Sequence, residues 1–279
     1  MNKQLLFPIY ITLLAFLCPT PSLASSPPHD IHKIETNTLV MGYKDGSKPP
    51  YIGAIGDNSG AYQDLFTRAA DAIGYKLKIV RLPKKRVYQH LELGQIDFYP
   101  SSGYSSKRAK YLYWHSNGLQ SKQALLSQSD QEEISDFKEA QGTLLAPLGS
   151  SAAEHAKKAP GIKIQKMGKL PIDKAVLALQ LGRGDFYIYD IDIFDYYLKR
   201  KQLKNYQQIS LKLHENAIEK KYSSLHSAFS RHSKHFDAMT NPDFANTRSA
   251  SSIAYRFEQA LLDLQTSGVT RKIYQKYFK

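Results

Sequence analysis

The stretch DFYPSSGYSSKR, residues 97–108, gathers residue types that can grip an anion. Phe98 and Tyr99 carry a buried-strand signal, and Ser101, Ser102, Gly103 and Ser105 follow as a donor-rich turn. Ser105 can cap a helix through Ala109 and Tyr111, with Arg108 in its first turn. Backbone N–H groups, serine hydroxyls and a guanidinium fork together suit a carboxylate. A capped helix with a solvated arginine explains the same residues without a ligand, so the surrounding elements must decide. A second cluster, His226, His232 and His235, invites a metal. Its spacing matches no standard zinc site and no cysteine joins it, so neither a metal nor any other cofactor is expected.

The elements around the arginine are duplicated. LELGQIDFY at 91–99 recurs as LQLGRGDFY at 179–187, each after an amphipathic helix, RVYQHLEL in one case and DKAVLALQL in the other. Gly94 and Gly182 stand where a helix C-cap wants a left-handed residue. Asp97 and Asp185 then lead into Phe-Tyr strands. One helix–glycine–strand unit per lobe is the natural reading. Strand and helix signals alternate on both sides: LVMGY, AYQDLFTRAADAIG and KLKIVRL in the first half, then TLLAPLG, SSAAEHAKKA and IKIQKMG in the second. Alternating βα units in two blocks predict two α/β lobes, each with a mostly parallel sheet. The run AYRFEQALLDLQTSGVTRKIYQKYF reads as two closing helices separated at Gly268.

Residues 1–24 read as a cleaved signal peptide: Lys3, an apolar core from Leu5 to Leu17, and the small-x-small site Ser22-Leu23-Ala24. That core is short for a membrane span, which needs about 20 residues. Cys18 is the only cysteine, and the bulky Leu17 before it argues against lipidation. The expected product is a soluble periplasmic protein without disulfides. The full chain of 279 residues carries a formal charge of +13, all but one unit of it outside the leader. Such a balance favours acidic partners. Export and the lack of any nucleic-acid motif leave Lys84-Lys85-Arg86 and Lys199-Arg200-Lys201 as solvated helical faces, with no nucleic acid bound.

With these residues in place, nearly the whole mature chain resembles the family 3 periplasmic solute-binding proteins of ABC-type uptake systems. The resemblance rests on Pro49-Pro50-Tyr51 after the first strand, the glycine–aspartate unit leading to Ser-Ser-Lys-Arg, Gly149 to Ser151, GRGDFYIYD and the closing helices. It implies a bilobal, type II α/β fold joined by a two-strand hinge, with lobe 1 at 36–119 and 230–279 and lobe 2 at 120–229. The implied ligand is small, carboxylate-bearing and amino-acid-like. By the same resemblance Arg108 would take its carboxylate and Asp190 its ammonium. Asp45, Tyr51, Ser101, Ser102 and Ser151 would add contacts, and Lys48 falls where an aromatic often covers the ligand. The serine turn is one residue shorter than the family pattern and WHSNG replaces its usual Phe-Ser-x-Pro-Tyr. Those departures bear on the ligand and leave the fold alone.

The implied partner is an inner-membrane ABC permease, or a receptor or sensor kinase if the chain is a sensing module; a monomer is expected. The rival enzymatic reading is a dehydratase on the same fold, for which Glu154 and His155 are the nearest acid/base candidates. Nucleophile-elbow, metal-hydrolase and phosphate-loop motifs are absent from the sequence, and the expectation is a binding protein, not an enzyme. Capping of the following helix would explain Asp190 without any ligand.

Overall fold

A computed structural model describes residues 37–148, 150, 152–240 and 247–279. The leader and Ser151 lie outside the described residues. In chain order the first block runs β1 (Thr38–Lys44), α1 (Ala61–Ala72), β2 (Lys76–Leu82), α2 (Lys84–Glu92), β3 (Phe98–Tyr99) and β4 (Leu112–Ser121). The second runs β5 (Gln123–Gln128), β6 (Gly142–Pro147), α3 (Ala152–Ala156), β7 (Ile162–Met167), α4 (Ile172–Gln180), β8 (Phe186–Asp190), α5 (Ile191–Lys201) and β9 (Leu211–His214). The chain then returns through β10 (Ser223–Ser230), a short β11–β12 pair (Ala238–Met239, Thr247–Arg248), α6 (Ile253–Thr266) and α7 (Val269–Phe278).

Two five-stranded sheets result, ordered β2-β1-β3-β10-β4 and β7-β6-β8-β5-β9. Each is mixed where mostly parallel sheets were expected. Strands built by βα units pair in parallel, β1 with β2 and β3, and β6 with β7 and β8. β10 and β5, which flank the crossings between sheets, pair antiparallel. The chain passes from the first sheet to the second at Lys122 and back between His214 and Ser223. The expected boundary 119/120 falls inside β4, and β10 hydrogen-bonds wholly within the first sheet. Hydrophobic period marks a strand but not the sheet it hydrogen-bonds to, so a strand running through a hinge conceals the boundary.

Phe66, Phe98, Phe229 and Phe257 pack the first core with ring centroids 4.9–6.4 Å apart. Phe137, Leu144, Phe186 and Ile188 anchor the second. The duplicated aspartates perform one task twice. Asp97 accepts the Val40 N–H at 2.7 Å and Asp185 accepts the Thr143 N–H at 2.6 Å, each locking its strand beside β1 or β6. Burial pushes the Asp97 carboxyl up, against the hydrogen bonds from Ser233 and Val40.

The duplicated glycines are both left-handed, φ 70° at Gly94 and 64° at Gly182, but only one is crowded. A Cβ on Gly94 would lie 2.1 Å from the His232 carbonyl oxygen, whereas on Gly182 the nearest atom is 3.9 Å away. Gly182→Ala is expected to cost about 1–2 kcal/mol for the backbone alone. Gly94→Ala should add an overpacking cost of about 1–3 kcal/mol. Urea melts of the two variants test this, and equal losses would refute it.

Candidate functional site

The residues of interest converge between the two sheets. The segment after β1 folds back on itself: Lys48 and Ile52 exchange backbone hydrogen bonds of 2.9 and 3.0 Å around a cis Pro49-Pro50 bond. Arg81 on β2 holds this loop from outside. Its guanidinium donates to the carbonyls of Lys44, Gly46 and Gly53 and to Asn58 Oδ1 at 2.6–3.3 Å. The sequence reading did not single out Arg81; nothing in local spacing distinguishes it from an exposed strand arginine.

Anchored this way, Lys48 reaches across to the second sheet and pairs with Asp190 at the end of β8. Its Nζ also lies 4.7 Å from the Tyr51 ring centroid and 5.8 Å from that of Tyr189. The two side chains are 16% and 20% exposed, so the pair is shielded without being sealed. Burial opposes the charge on Lys48, but the Asp190 carboxylate outweighs it and holds the lysine well above its ordinary pKa. Asp190 sits at the N-cap of α5 yet makes no capping hydrogen bond. Its carboxylate faces the cleft. Simple capping does not account for it.

On the first lobe three tyrosines stack in a ladder. Tyr43 and Tyr99 have centroids 5.4 Å apart at 14°, and Tyr99 and Tyr88 are 5.6 Å apart at 27°. A guanidinium caps each end: Arg81 lies 5.3 Å from Tyr43 and Arg108 4.5 Å from Tyr88. Such contacts hold a guanidinium flat and restrict its rotamers. Arg108 donates to Ser102 Oγ at 3.3 Å and to the Gly103 carbonyl at 3.2 Å, long bonds that occupy only part of its fork.

The serine turn differs from expectation in two ways. Residues 105–112 form successive turns instead of a helix, with the N–H groups of Arg108 and Ala109 both reaching the Ser105 carbonyl. Tyr111 and Leu112, bonded back to the Arg108 carbonyl, then lead into β4 before a second helical turn can form. The Ser102 N–H, a candidate ligand donor, is used by the His226 carbonyl of β10 at 2.8 Å. Pro100 is pinned likewise, its carbonyl accepting from Asn117 and Ser227. What the turn can offer is the shared hydroxyl network of Ser102, Tyr88 and Arg108.

Tyr51 does not face solvent. It is fully buried and donates to Asp192 Oδ2 at 3.0 Å. Asp192, in the first turn of α5, is also fully buried and accepts from Ser121 and Tyr274. Three hydroxyls of the first lobe and the hinge thus meet one carboxylate of the second. The sequence reading passed over Asp192, which looks like an ordinary helix N-terminal acid. Asp45 lies at the rim, 41% exposed and 3.9 Å from Lys169. Ser101 is half-buried, and the hydroxyl of Tyr62 is its polar neighbour. Ser150 Oγ is buried with no hydrogen-bond partner among the described residues.

The other constellations do not assemble into chemistry. Glu154 is exposed and paired with Lys157, while His155 bonds Gln123 at 2.7 Å. His226, His232 and His235 do not converge; among the described residues no group of three ligating side chains could hold a metal. Ser127, His214 and Glu133 imitate a hydrolytic triad, with Ser127 Oγ 2.8 Å from His214 Nε2. However, His214 Nδ1 accepts the Ile134 N–H, so Nε2 carries the proton and cannot take one from serine. Both residues are fully buried. A cavity of about 550 Å3 lies by the hinge, lined by Gly118, Tyr222, Tyr274 and Lys279 among others; Lys48, Arg108 and Asp190 do not line it.

Comparison with known proteins places this geometry. A search of curated proteins by sequence returns no match. Solved structures share the fold at low identity. An ancestral arginine-binding protein bound to arginine aligns with a TM-score of 0.60 at 19% identity, covering 87% of this chain and 99% of that one. The GluR0 ligand-binding core from Nostoc punctiforme, in complex with L-glutamate, gives 0.63 at 17%, covering 86% and 99%. The ancestral amino-acid-binding protein AncCDT-1, a precursor of cyclohexadienyl dehydratase, gives 0.63 at 19%, covering 87% and 96%. At these identities the likeness establishes the bilobal fold and no more. The family model of the bacterial extracellular solute-binding proteins, family 3, matches residues 39–279, and with two mixed sheets flanking a cleft of ionic and aromatic side chains, this chain belongs to that family.

Proposed function

We propose that the protein is exported to the periplasm and there captures a small carboxylate-bearing solute, of amino-acid size, for an inner-membrane ABC permease. The observation that carries the reading is Arg108, held flat on Tyr88 with two long hydrogen bonds among the described residues, beside a cleft whose opposite wall carries Asp190. A guanidinium so positioned presents a planar fork to a carboxylate. Neighbours of the same fold bind arginine and L-glutamate, which fits a solute of that size. Binding is noncovalent: Arg108 and Ser102 hold the anion, and approach of the lobes removes water and strengthens the charge-assisted bonds. Asp45, Ser101 and Ser151 remain candidate contacts around it.

A thermal-shift screen of small carboxylates and amino acids tests the capture step. A ligand at a hundred times its Kd should raise stability by about 2.7 kcal/mol. A screen without one carboxylate hit would remove the reading. Export predicts a secreted product whose intact mass begins at Ser25. A lipid-modified species beginning at Cys18 would contradict a soluble carrier.

A further inference from the structure

The amino-acid readings of this cleft require a carboxylate left open for the ligand's ammonium. Asp190 is not open. Lys48 arrives from the other lobe and pairs with it, in a site where the two side chains are only 16% and 20% exposed. The lysine is not a wandering surface chain. Its backbone is closed against Ile52 by two hydrogen bonds, and Arg81 clamps the flanking loop. Its ammonium rests against the faces of Tyr51 and Tyr189, the environment a bound alkylammonium prefers. The site already contains the cation that an α-amino acid would bring.

Two further observations point the same way. Lys44, at the end of β1, is held down to about 8 by its burial and by Lys48 and Lys84. Its two lysine neighbours thus add to burial in opposing a positive charge at that position. A continuous run of ring contacts, Tyr88–Tyr99–Tyr43–Tyr62–Tyr51, also joins the ring under Arg108 to the ring under Lys48. A second ammonium entering the cleft would share one carboxylate with Lys48, in partly desolvated surroundings where like charges repel strongly. An anion without an ammonium meets two cations and displaces nothing.

We propose that Lys48 substitutes for the ammonium group of the ligand, so that the site selects small organic acids lacking an amino group. This rests on the carboxylate reading above and narrows its ligand class. The atoms involved are few. One ligand carboxylate takes the Arg108 fork, Lys48 stays on Asp190 and contributes its remaining N–H groups, and the tyrosines wall the ligand's body.

Calorimetry on matched pairs tests it: glutarate against L-glutamate, and 3-phenylpropanoate against L-phenylalanine. Wild type should bind the desamino member of at least one pair ten-fold or more tighter than its amino acid. Lys48→Met should erase or invert that order, since it frees the Asp190 carboxylate for the ligand's ammonium. Lys48→Arg, which keeps a cation there, should preserve it. If wild type prefers the amino acid of each pair, or Lys48→Met leaves the order unchanged, the proposal is overturned. Arg108→Ala separates the two readings. Wild-type preference for the amino acids, lost on Arg108→Ala, would sink the Lys48 proposal and keep the carboxylate site. Binding of no member of either pair to wild type would overturn the Lys48 proposal, whereas the carboxylate reading falls only with a screen that yields no carboxylate hit.

Discussion

Arg108→Ala should weaken binding of the best carboxylate from the screen by about 2–5 kcal/mol. At one decade per 1.4 kcal/mol this is roughly thirty-fold to several-thousand-fold. The loss is large because the ligand's carboxylate would then enter the cleft desolvated and short of its main partner. Tyr88, Ser102 and Gly103, which hold the arginine, would survive the truncation and keep their own backbone places. Arg108→Lys should recover only part of the loss, because an ammonium offers a point charge in place of a two-pronged contact and stacks less well on Tyr88. Calorimetry with circular dichroism as a folding control decides it. Wild-type affinity in a folded Arg108→Ala protein would return this residue to a surface arginine.

Asp192→Ala should be the most damaging single change to stability, at about 3–5 kcal/mol. The carboxylate is fully buried and collects hydroxyls from three places: Tyr51 in the loop after β1, Ser121 at the end of β4 and Tyr274 on α7. Removing it strands the buried hydroxyls of Tyr51 and Ser121 and takes a partner from half-buried Tyr274, and each buried orphan costs about 1–3 kcal/mol. Tyr51 and Tyr274 cannot compensate by ionising, because burial raises their pKa values. Because the donors belong to the first lobe and the hinge while Asp192 belongs to α5, the damage should extend to how the lobes are joined. Urea denaturation measures the loss through the midpoint at constant slope. A change below about 1 kcal/mol would mean that these hydroxyls find other partners.

Much of the first-lobe core and both copies of the repeated unit were legible in the sequence. LVMGY, KLKIVRL and the helix between them became β1, β2 and α1, because apolar period and turn residues act over short distances. Gly94 and Gly182 took left-handed backbone in both copies, a demand set within one turn of chain. Gly268 likewise separated the closing helices. The helix expected after Ser105 failed because β4 draws the chain into sheet pairing with β10 before a second turn can form. Local capping residues were right in type and lost to tertiary hydrogen bonds.

By itself the sequence determined the two-lobed α/β plan, the family resemblance and the residue types available to meet an anion. Tertiary structure alone decided which of those residues meet. Lys48 and Asp190 stand far apart in the chain, and only the approach of the two sheets turns a loop lysine and a strand-end aspartate into one ion pair. Nothing in the spacing around Asp192 announced that it would be buried under three distant hydroxyls, and nothing around Arg81 that it would clamp the Lys48 loop. The division has a physical cause. Period, caps and turns are set by interactions a few residues apart, whereas partners across a cleft depend on where whole lobes dock, which no local stretch of sequence encodes.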